Sequence, residues 1–279
     1  MTIHQTAIID RKAEIDASAE IGPFVVIEGK VTIGPKTKVM AGAFLAGTTE
    51  IGPECVIHPH AVIGHEPQDL SWPGGESFLR IGKGNIIREG CSIHRGSKPG
   101  LATVVGDKNF LMGHSHIAHD CVVGNEVILA NGALLAGHVH VGDKAFISGN
   151  ATIHQFVRVG MLAMIGGLAR VTKDVPPYLL LEGNSTIRAI NVVGLRRAGF
   201  SSPQREQIKR AYKLLYYSGL NVTQALAAME KEDLGPEVAS MIAFIKDSQR
   251  GICGHARRAL GAPESQEMGK GKDSGLLNG

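Results

Sequence analysis

Half of the twelve histidines in this chain, His114, His116, His119, His138, His140 and His154, fall between residues 114 and 154. Three short strings in that stretch carry the chemistry: His119-Asp120, Gly137-His138 and His154-Gln155. His119, Gly137 and Gln155 follow one another at intervals of 18 residues, and Asp120 and His138 share that interval. An imidazole is a general base near neutral pH, and a carboxylate beside it fixes its tautomer and raises its basicity. Gly137 has no side chain to keep a substrate oxygen from its backbone N–H, which suits an oxyanion donor. His138 and Gln155 add hydrogen-bonding groups for a polar acceptor. A base with an oxyanion donor equips a site for attack by an activated hydroxyl on a carbonyl, which is acyl transfer. No serine or cysteine stands beside His119 as a covalent nucleophile, so a direct, one-step transfer is the simpler mechanism. The opposing view makes these histidines merely solvated. The shared interval argues against it.

An interval of 18 requires an element that brings the chain back to one place every 18 residues. The sequence supplies it. Every sixth residue from Ile3 to Val171 is Ile, Val or Leu, apart from Asp69, Gly75 and Pro99. The position four later is mostly small, as at Ala7, Ala13, Ala19, Ala43, Cys55 and Ala61. A helix would put residues six apart on opposite faces, and an alternating strand would not skip four positions. The period fits a short strand plus a corner, with three such units closing a triangular coil. Stacked coils pair their backbones at roughly 4.8 Å, so His119, Gly137 and Gln155 are expected within roughly 10 Å along one corner. Each coil buries its aliphatics only against its neighbours. The pattern predicts nearly ten coils over residues 1–175, broken by external loops at 65–79 and 97–102. Loops that interrupt a regular solenoid are where function concentrates.

Composition agrees. Glycine provides 36 of 279 residues, aromatics are 5%, and 43% of residues are hydrophobic. That apolar content excludes disorder for the bulk of the chain. No apolar run approaches the ~18 residues of a membrane span. The first residues, Met1-Thr2-Ile3-His4-Gln5, lack the basic and apolar regions of a secretory signal, and four cysteines without paired spacing suit a reducing cytoplasm. A net charge of +3 is too small to imply nucleic acid.

After Val171 the pattern ends at Thr172-Lys173-Asp174-Val175-Pro176-Pro177-Tyr178. An irregular stretch is expected to Phe200. Three helices follow: one with Ser202 as N-cap that Gly219 ends, one from a capping box at Asn221 and Gln224 through Glu232, and one from Pro236 to about Arg250. This helical region, 176–253, covers the open end of the prism, and residues 254–279 are expected to be a disordered tail. Arg205, Lys209, Arg210 and Lys213 recur on one side of the first helix. They are either a solvated face or a dock for an acidic partner.

The strings His116-Ile117-Ala118-His119-Asp120-Cys121, Leu135-Ala136-Gly137-His138, His154-Gln155-Phe156, Asp174-Val175-Pro176-Pro177-Tyr178 and Gly194-Leu195-Arg196-Arg197 together resemble the hexapeptide-repeat acyltransferases that open lipid A biosynthesis. These are the acyl-[acyl-carrier-protein]–UDP-N-acetylglucosamine O-acyltransferases. The likeness covers about residues 1–253. It implies a left-handed parallel β-helix, a hand contrary to the usual crossover preference, assembled as a homotrimer with active sites between neighbouring prisms. It further implies transfer of a 3-hydroxyacyl chain from acyl carrier protein to the glucosamine 3-hydroxyl of a UDP-sugar, with no cofactor and no metal. By this resemblance His119 is the general base, Asp120 orients it and Gly137 is the oxyanion donor. His116, His138 and Gln155 contact the sugar nucleotide or acyl group, Asp69 contacts substrate, and Arg197 reaches the nucleotide phosphates. Gly167 limits the far end of the acyl groove, and a glycine there implies room for a longer chain. Two positions depart from the pattern: Ser71 where a lysine is common, and Ala198 where a further arginine is.

Three rivals make different demands. The N-acyltransferase acting on a 3-amino sugar looks similar in its coils but carries an extra N-terminal domain, whereas here the repeats start at Ile3. A hexapeptide-fold carbonic anhydrase binds zinc through histidines, and His114-x4-His119 resembles its ligand spacing. A purely structural solenoid would tolerate loss of His119.

Overall fold

The computed structural model describes residues 2–255, and from Thr2–Ile3 to Arg170–Val171 strands of two to four residues alternate with tight corners. The strands stack in parallel on three faces. The first face begins with Thr2–Ile3 and Glu20–Ile21, the second with Ile8–Ile9 and Val26–Glu28, and the third with Glu14–Ile15 and Val31–Ile33. The inward aliphatics align from coil to coil, as Ile117 with Leu135 and Leu135 with Ile153. Ile57, Ile63, Ile87, Leu111 and Leu129 are fully buried, as are the small residues Ala43, Ala61, Ala133 and Ala151 that fill the corners. Each buried aliphatic contributes roughly 1.5–3 kcal/mol, so the stacked ladder carries the fold.

Corners end on a residue in the left-handed region. Asp120, His138 and Phe156 sit there, with φ of 58°, 60° and 65°. A non-glycine residue in that region costs about 1–2 kcal/mol and is held there only because the coils above and below determine it. The chemical residues therefore stand on fixed backbone.

Ile51 pairs with Ile81, thirty residues on, and Ile81 pairs with Val105, twenty-four on. The two loops thus add twelve and six residues to an 18-residue coil. Both are multiples of six, so the inward phase resumes after each. Both leave from the corner between the second and third faces, which is the corner that carries His119. Irregular backbone spans 66–77 and 95–101, a little displaced from the expected limits. Because three units of the pattern lie in these loops, the first two faces have nine strands each up to Val171 and the third has eight, rather than ten coils.

The stretch expected to be irregular is a correction. Leu179–Glu182 pairs in parallel with Met164–Ile165 and antiparallel with Thr186–Ile190, so the first face continues beyond the Pro pair. Pro176 and Pro177 remove donors only at the corner, and Leu179, Leu181 and Ile187 are fully buried on the other side of it. A short helix, α1 (Val192–Arg197), follows. The next helix, α2 (Ser202–Tyr217), is capped by Ser201 and not Ser202, because Gln204 closes the reciprocal box with Ser201. Helix α3 (Val222–Glu232) starts from Asn221 and Gln224 as the sequence indicates. Helix α4 (Pro236–Lys246) stops short of Arg250, and beyond it the Ser248 hydroxyl donates to the buried carboxylate of Asp174 at 2.8 Å. Gly254 and His255, placed in the tail by sequence, pair with Thr186 and Ile187. The rest of the expected tail lies outside the described residues.

Candidate active site

His119 and Asp120 occupy the corner between the second and third faces. The Nδ1 of His119 lies 2.8 Å from Oδ2 of Asp120. Asp120 is buried, and its carboxylate accepts the Ser97 backbone N–H at 3.1 and 3.2 Å, while its own N–H donates to Thr103 Oγ at 2.8 Å. Burial pushes the Asp120 carboxyl up, but the bonds from Ser97 and His119 outweigh it, so the group lies below its ordinary value and is ionised. An ionised Asp120 on Nδ1 holds the proton there and leaves Nε2 as the basic nitrogen. The second loop thereby contacts Asp120 directly, since Ser97 lies within it and Thr103 lies in the strand that follows it. The sequence reading did not single out either residue. Their signal was the placement of the loop, one coil before His119.

One coil on, the expected register holds. The His138 N–H donates to the His119 carbonyl, and the Phe156 N–H to that of Gly137, at 3.0 and 3.1 Å. His119 and His138 meet edge to face with centroids 5.2 Å apart, and Phe156 stacks on His138 at 4.6 Å. Nε2 of His138 is 3.5 Å from Asp120 Oδ2. Burial is the main cause that lowers the His138 pKa, only partly offset by Asp120. Gly137 matters sterically as well: a Cβ there would lie 2.6 Å from His119 Cε1 and 2.8 Å from Nε2. Only glycine lets the imidazole rest on that backbone. Gln155 is exposed two coils from His119 on the same edge.

His116 is on the second face, hydrogen-bonded through Nδ1 to Ser92 Oγ at 2.8 Å. Burial, with the nearby His94 and His119, holds its pKa down to about 4. His116 is therefore neutral across the working range. A His116→Asn variant is expected to leave the acidic limb of the kcat/KM profile at its original midpoint, and a shifted limb in a pH series would refute that. His65, His94 and His116 form a row with centroid separations of 6.5 and 5.3 Å. A fixed 18-residue register hid His65 and His94, because the loops lengthen their coils.

Asp69 is brought in by the first loop. Its carboxylate accepts the Ser71 N–H and hydroxyl at 2.9 and 2.8 Å, and these bonds, with the facing His119 and His138, lower its pKa. Ser71, where a lysine was expected, thus orients Asp69. Cys121, next to Asp120, is buried with its thiol pushed up to about 12, so it is no nucleophile at neutral pH.

Two of the expected residues are not at this corner in one chain. Gly167 is exposed on the corner between the first and second faces, where an added Cβ would meet only the Gly149 carbonyl at 3.6 Å. Arg197, at the end of α1, lines a cleft of about 270 Å³ over the first face with Glu126, Lys144 and Phe146. The two histidines whose spacing resembles the rival zinc site stand on different corners of one chain: His114 is on the corner between the first and second faces, packed over Gly90. His119, Asp120 and His138 do place one potential ligand atom each within 4.8 Å of one another. On α2, Arg210 makes a two-pronged pair with Glu232 at 2.8 and 2.9 Å, and Lys209 reaches Glu206 at 3.4 Å. The basic face is therefore weaker than its sequence suggests.

Comparison with known proteins follows the same lines. A family model described as UDP N-acetylglucosamine O-acyltransferase, domain 2, matches residues 174–253, and the bacterial transferase hexapeptide model matches 30–65 and 102–137. A curated acyl-[acyl-carrier-protein]–UDP-N-acetylglucosamine O-acyltransferase from Thermodesulfovibrio yellowstonii is 46% identical over 254 residues, covering 90% of this chain and 98% of the relative. The protein of the same name from Trichlorobacter lovleyi is 45% identical, covering 91% and 99%. The crystal structure of the UDP-N-acetylglucosamine acyltransferase from Bacteroides fragilis superposes with a TM-score of 0.86 at 43% identity, covering 90% of this chain and 99% of that one. The prism is a left-handed parallel β-helix of hexapeptide repeats with C-terminal helices. Identity of this extent over nearly the full length of both partners, together with the matching fold, places the chain in the acyl-[acyl-carrier-protein]–UDP-N-acetylglucosamine O-acyltransferase family.

Proposed function

We propose that His119 is the general base of a direct acyl transfer onto the 3-hydroxyl of UDP-N-acetylglucosamine. The activity is that of the family: a 3-hydroxyacyl chain passes from acyl carrier protein to the sugar nucleotide, the first step of lipid A biosynthesis. The observation that carries the mechanism is the 2.8 Å contact between His119 Nδ1 and a buried, ionised Asp120, which leaves Nε2 basic. In the reaction Nε2 takes the hydroxyl proton as the oxygen bonds to the thioester carbon. The carbonyl oxygen becomes an oxyanion within reach of the Gly137 N–H, which no acceptor among the described residues takes. Collapse breaks the carbon–sulfur bond, and the proton on His119 passes to the departing thiolate. Asp69, His116, His138 and Gln155 position the two substrates.

The remaining assignments support a site shared between subunits. Gly167 and Arg197 lie away from the His119 corner, so one site using all of them needs a second prism beside the first, as in a homotrimer. No helix among the described residues is long and apolar enough to cross a membrane. We place the enzyme in the cytoplasm, with coils through 175 bearing the base and the region 176–253 receiving the carrier protein. Lys213 lines a cleft of about 460 Å³ on α2 with Tyr217. Lys213→Glu is expected to raise the KM for acyl carrier protein several-fold at low salt and less at high salt, as encounter steering requires. An unchanged KM would put docking elsewhere.

The deciding assay offers the purified chain 3-hydroxyacyl carrier-protein thioesters of graded length, with UDP-N-acetylglucosamine or its 3-amino analogue. Ester formation on the hydroxyl sugar is expected; exclusive amide formation would favour the N-acyltransferase. In the same assay Gly167→Met is expected to shift preference toward shorter chains, and an unchanged chain profile would refute the groove assignment.

A further inference from the structure

The row that carries the base does not end at Gln155. The same 18-residue interval leads to Lys173, and the register is kept: Ile153 pairs with Val171, and the His154 N–H donates to the Val171 carbonyl at 2.8 Å. Lys173 is exposed at that end of the row. Arg250 comes up beside it from the segment after α4. Its Nη2 lies 3.4 Å from the Thr172 carbonyl oxygen and 3.5 Å from His154 Nδ1, and its Nε is buried without an acceptor among the described residues.

The nearby carboxylates are committed elsewhere. Asp174 accepts the Arg158 N–H at 2.9 Å and the Ser248 hydroxyl at 2.8 Å, and Asp247 pairs with the Arg158 guanidinium at 2.9 Å. Two cations therefore stand together on the catalytic edge with no carboxylate partner among the described residues. A guanidinium and an ammonium without a carboxylate, at the end of one edge, make a cationic seat for an anion laid along it.

We propose that Lys173 and Arg250 bind the phosphodiester at the far end of the acyl donor's phosphopantetheine arm. This deepens the acyl-transfer reading and rests on it. Three coils separate His119 from Lys173, ~14 Å at the strand spacing. From thioester sulfur to phosphorus the arm has about thirteen bonds, the backbone of roughly four residues, or ~15 Å when extended. With the thioester carbon at His119, an arm laid along the edge brings its phosphate to these two cations. Arginine and lysine together supply a planar fork and a point charge for a phosphate.

The test compares two small donors, the 3-hydroxyacyl thioesters of phosphopantetheine and of pantetheine, which differ only by the phosphate. The unaltered enzyme is expected to show a KM for the phosphorylated donor ~10-fold or more below that for the other, as charge-assisted bonds imply. In Lys173→Met/Arg250→Met that ratio falls toward one, and Arg250→Lys keeps part of it. Equal KM values in the unaltered enzyme, or a ratio that survives in the double variant, would overturn the proposal. Lys173→Met alone, an exposed change, reads the same ratio should the double variant fold poorly. If neither small donor is turned over, free phosphopantetheine against pantetheine as inhibitors of the carrier-protein reaction gives the same contrast. A His119→Ala enzyme that still transfers acyl groups would defeat the base assignment, while the donor ratio would still report on the phosphate site.

Discussion

His119→Ala is expected to lower kcat/KM by ~10²–10⁴-fold, the range for loss of a positioned general base. The loss should fall on kcat, because the imidazole acts on the proton in flight more than on ground-state binding. Folding should be little affected: the ring is a corner group outside the aliphatic ladder, and Gly137 beneath it accommodates any side chain that leaves space. The measurement is steady-state kinetics with acyl carrier protein thioester and UDP-N-acetylglucosamine, alongside thermal unfolding. A variant with near-wild-type kcat and an unchanged Tm would remove the mechanism, and with it the reason for the buried Asp120.

The second large effect is predicted at a residue with no functional group. Gly137→Ala puts a methyl group where the His119 ring now rests, 2.6 Å from Cε1. Such contacts do not occur between real atoms, so the ring has to move. Its alternatives are to rotate away from Asp120 or to lift from the edge, and either displaces Nε2 by about an ångström. A misplacement of that size costs ~10²-fold in rate. Gly137 does not use the left-handed backbone region, so alanine brings no backbone strain and the Tm should hold. That separation of rate from stability is the diagnostic. Full activity in Gly137→Ala would show that the ring's seat on the glycine is irrelevant to catalysis, and a large fall in Tm would show that the glycine serves the fold instead.

The prism was legible because its physics is one-dimensional. A side chain every six residues must point inward if each coil is to bury anything, so Ile117, Leu135 and Ile153 announce their stacking by spacing alone. The register of His119, Gly137 and Gln155 followed from that rule without any further information. The same rule misled where the coil length changes. His65 and His94 align across twenty-nine residues because the first loop lengthens that coil and the register shifts by one after Ile63, and a fixed interval cannot detect them. The hairpin at 179–190 was missed for a different reason. A Pro pair ends a ladder locally, but its cost is confined to two donors, and the buried Leu179, Leu181 and Ile187 outweigh it.

Charge was the least legible property. On paper Arg205, Lys209, Arg210 and Lys213 form a basic strip, yet Glu232 on α3 neutralises Arg210 from a helix that only packing brings near. Beyond the placement of their loop, Ser97 and Thr103 gave no sign of their hold on Asp120: Ser97 acts through its backbone N–H, which carries no sequence signature, and Thr103 through a hydroxyl that accepts the Asp120 N–H.

The sequence alone determined the repeating coil, its phase, the edge on which base, glycine and amide line up, and the family to which the chain is related. Those features depend on spacing along the chain, and spacing is written in the order of residues. Only the tertiary structure decided that both loops leave from the His119 corner, that Ser97 anchors the Asp120 carboxylate and helps lower its pKa, and that Gly167 and Arg197 stand on other faces. Those outcomes depend on which backbone and side-chain groups meet across long separations, and the packing of the coils and helices sets that geometry.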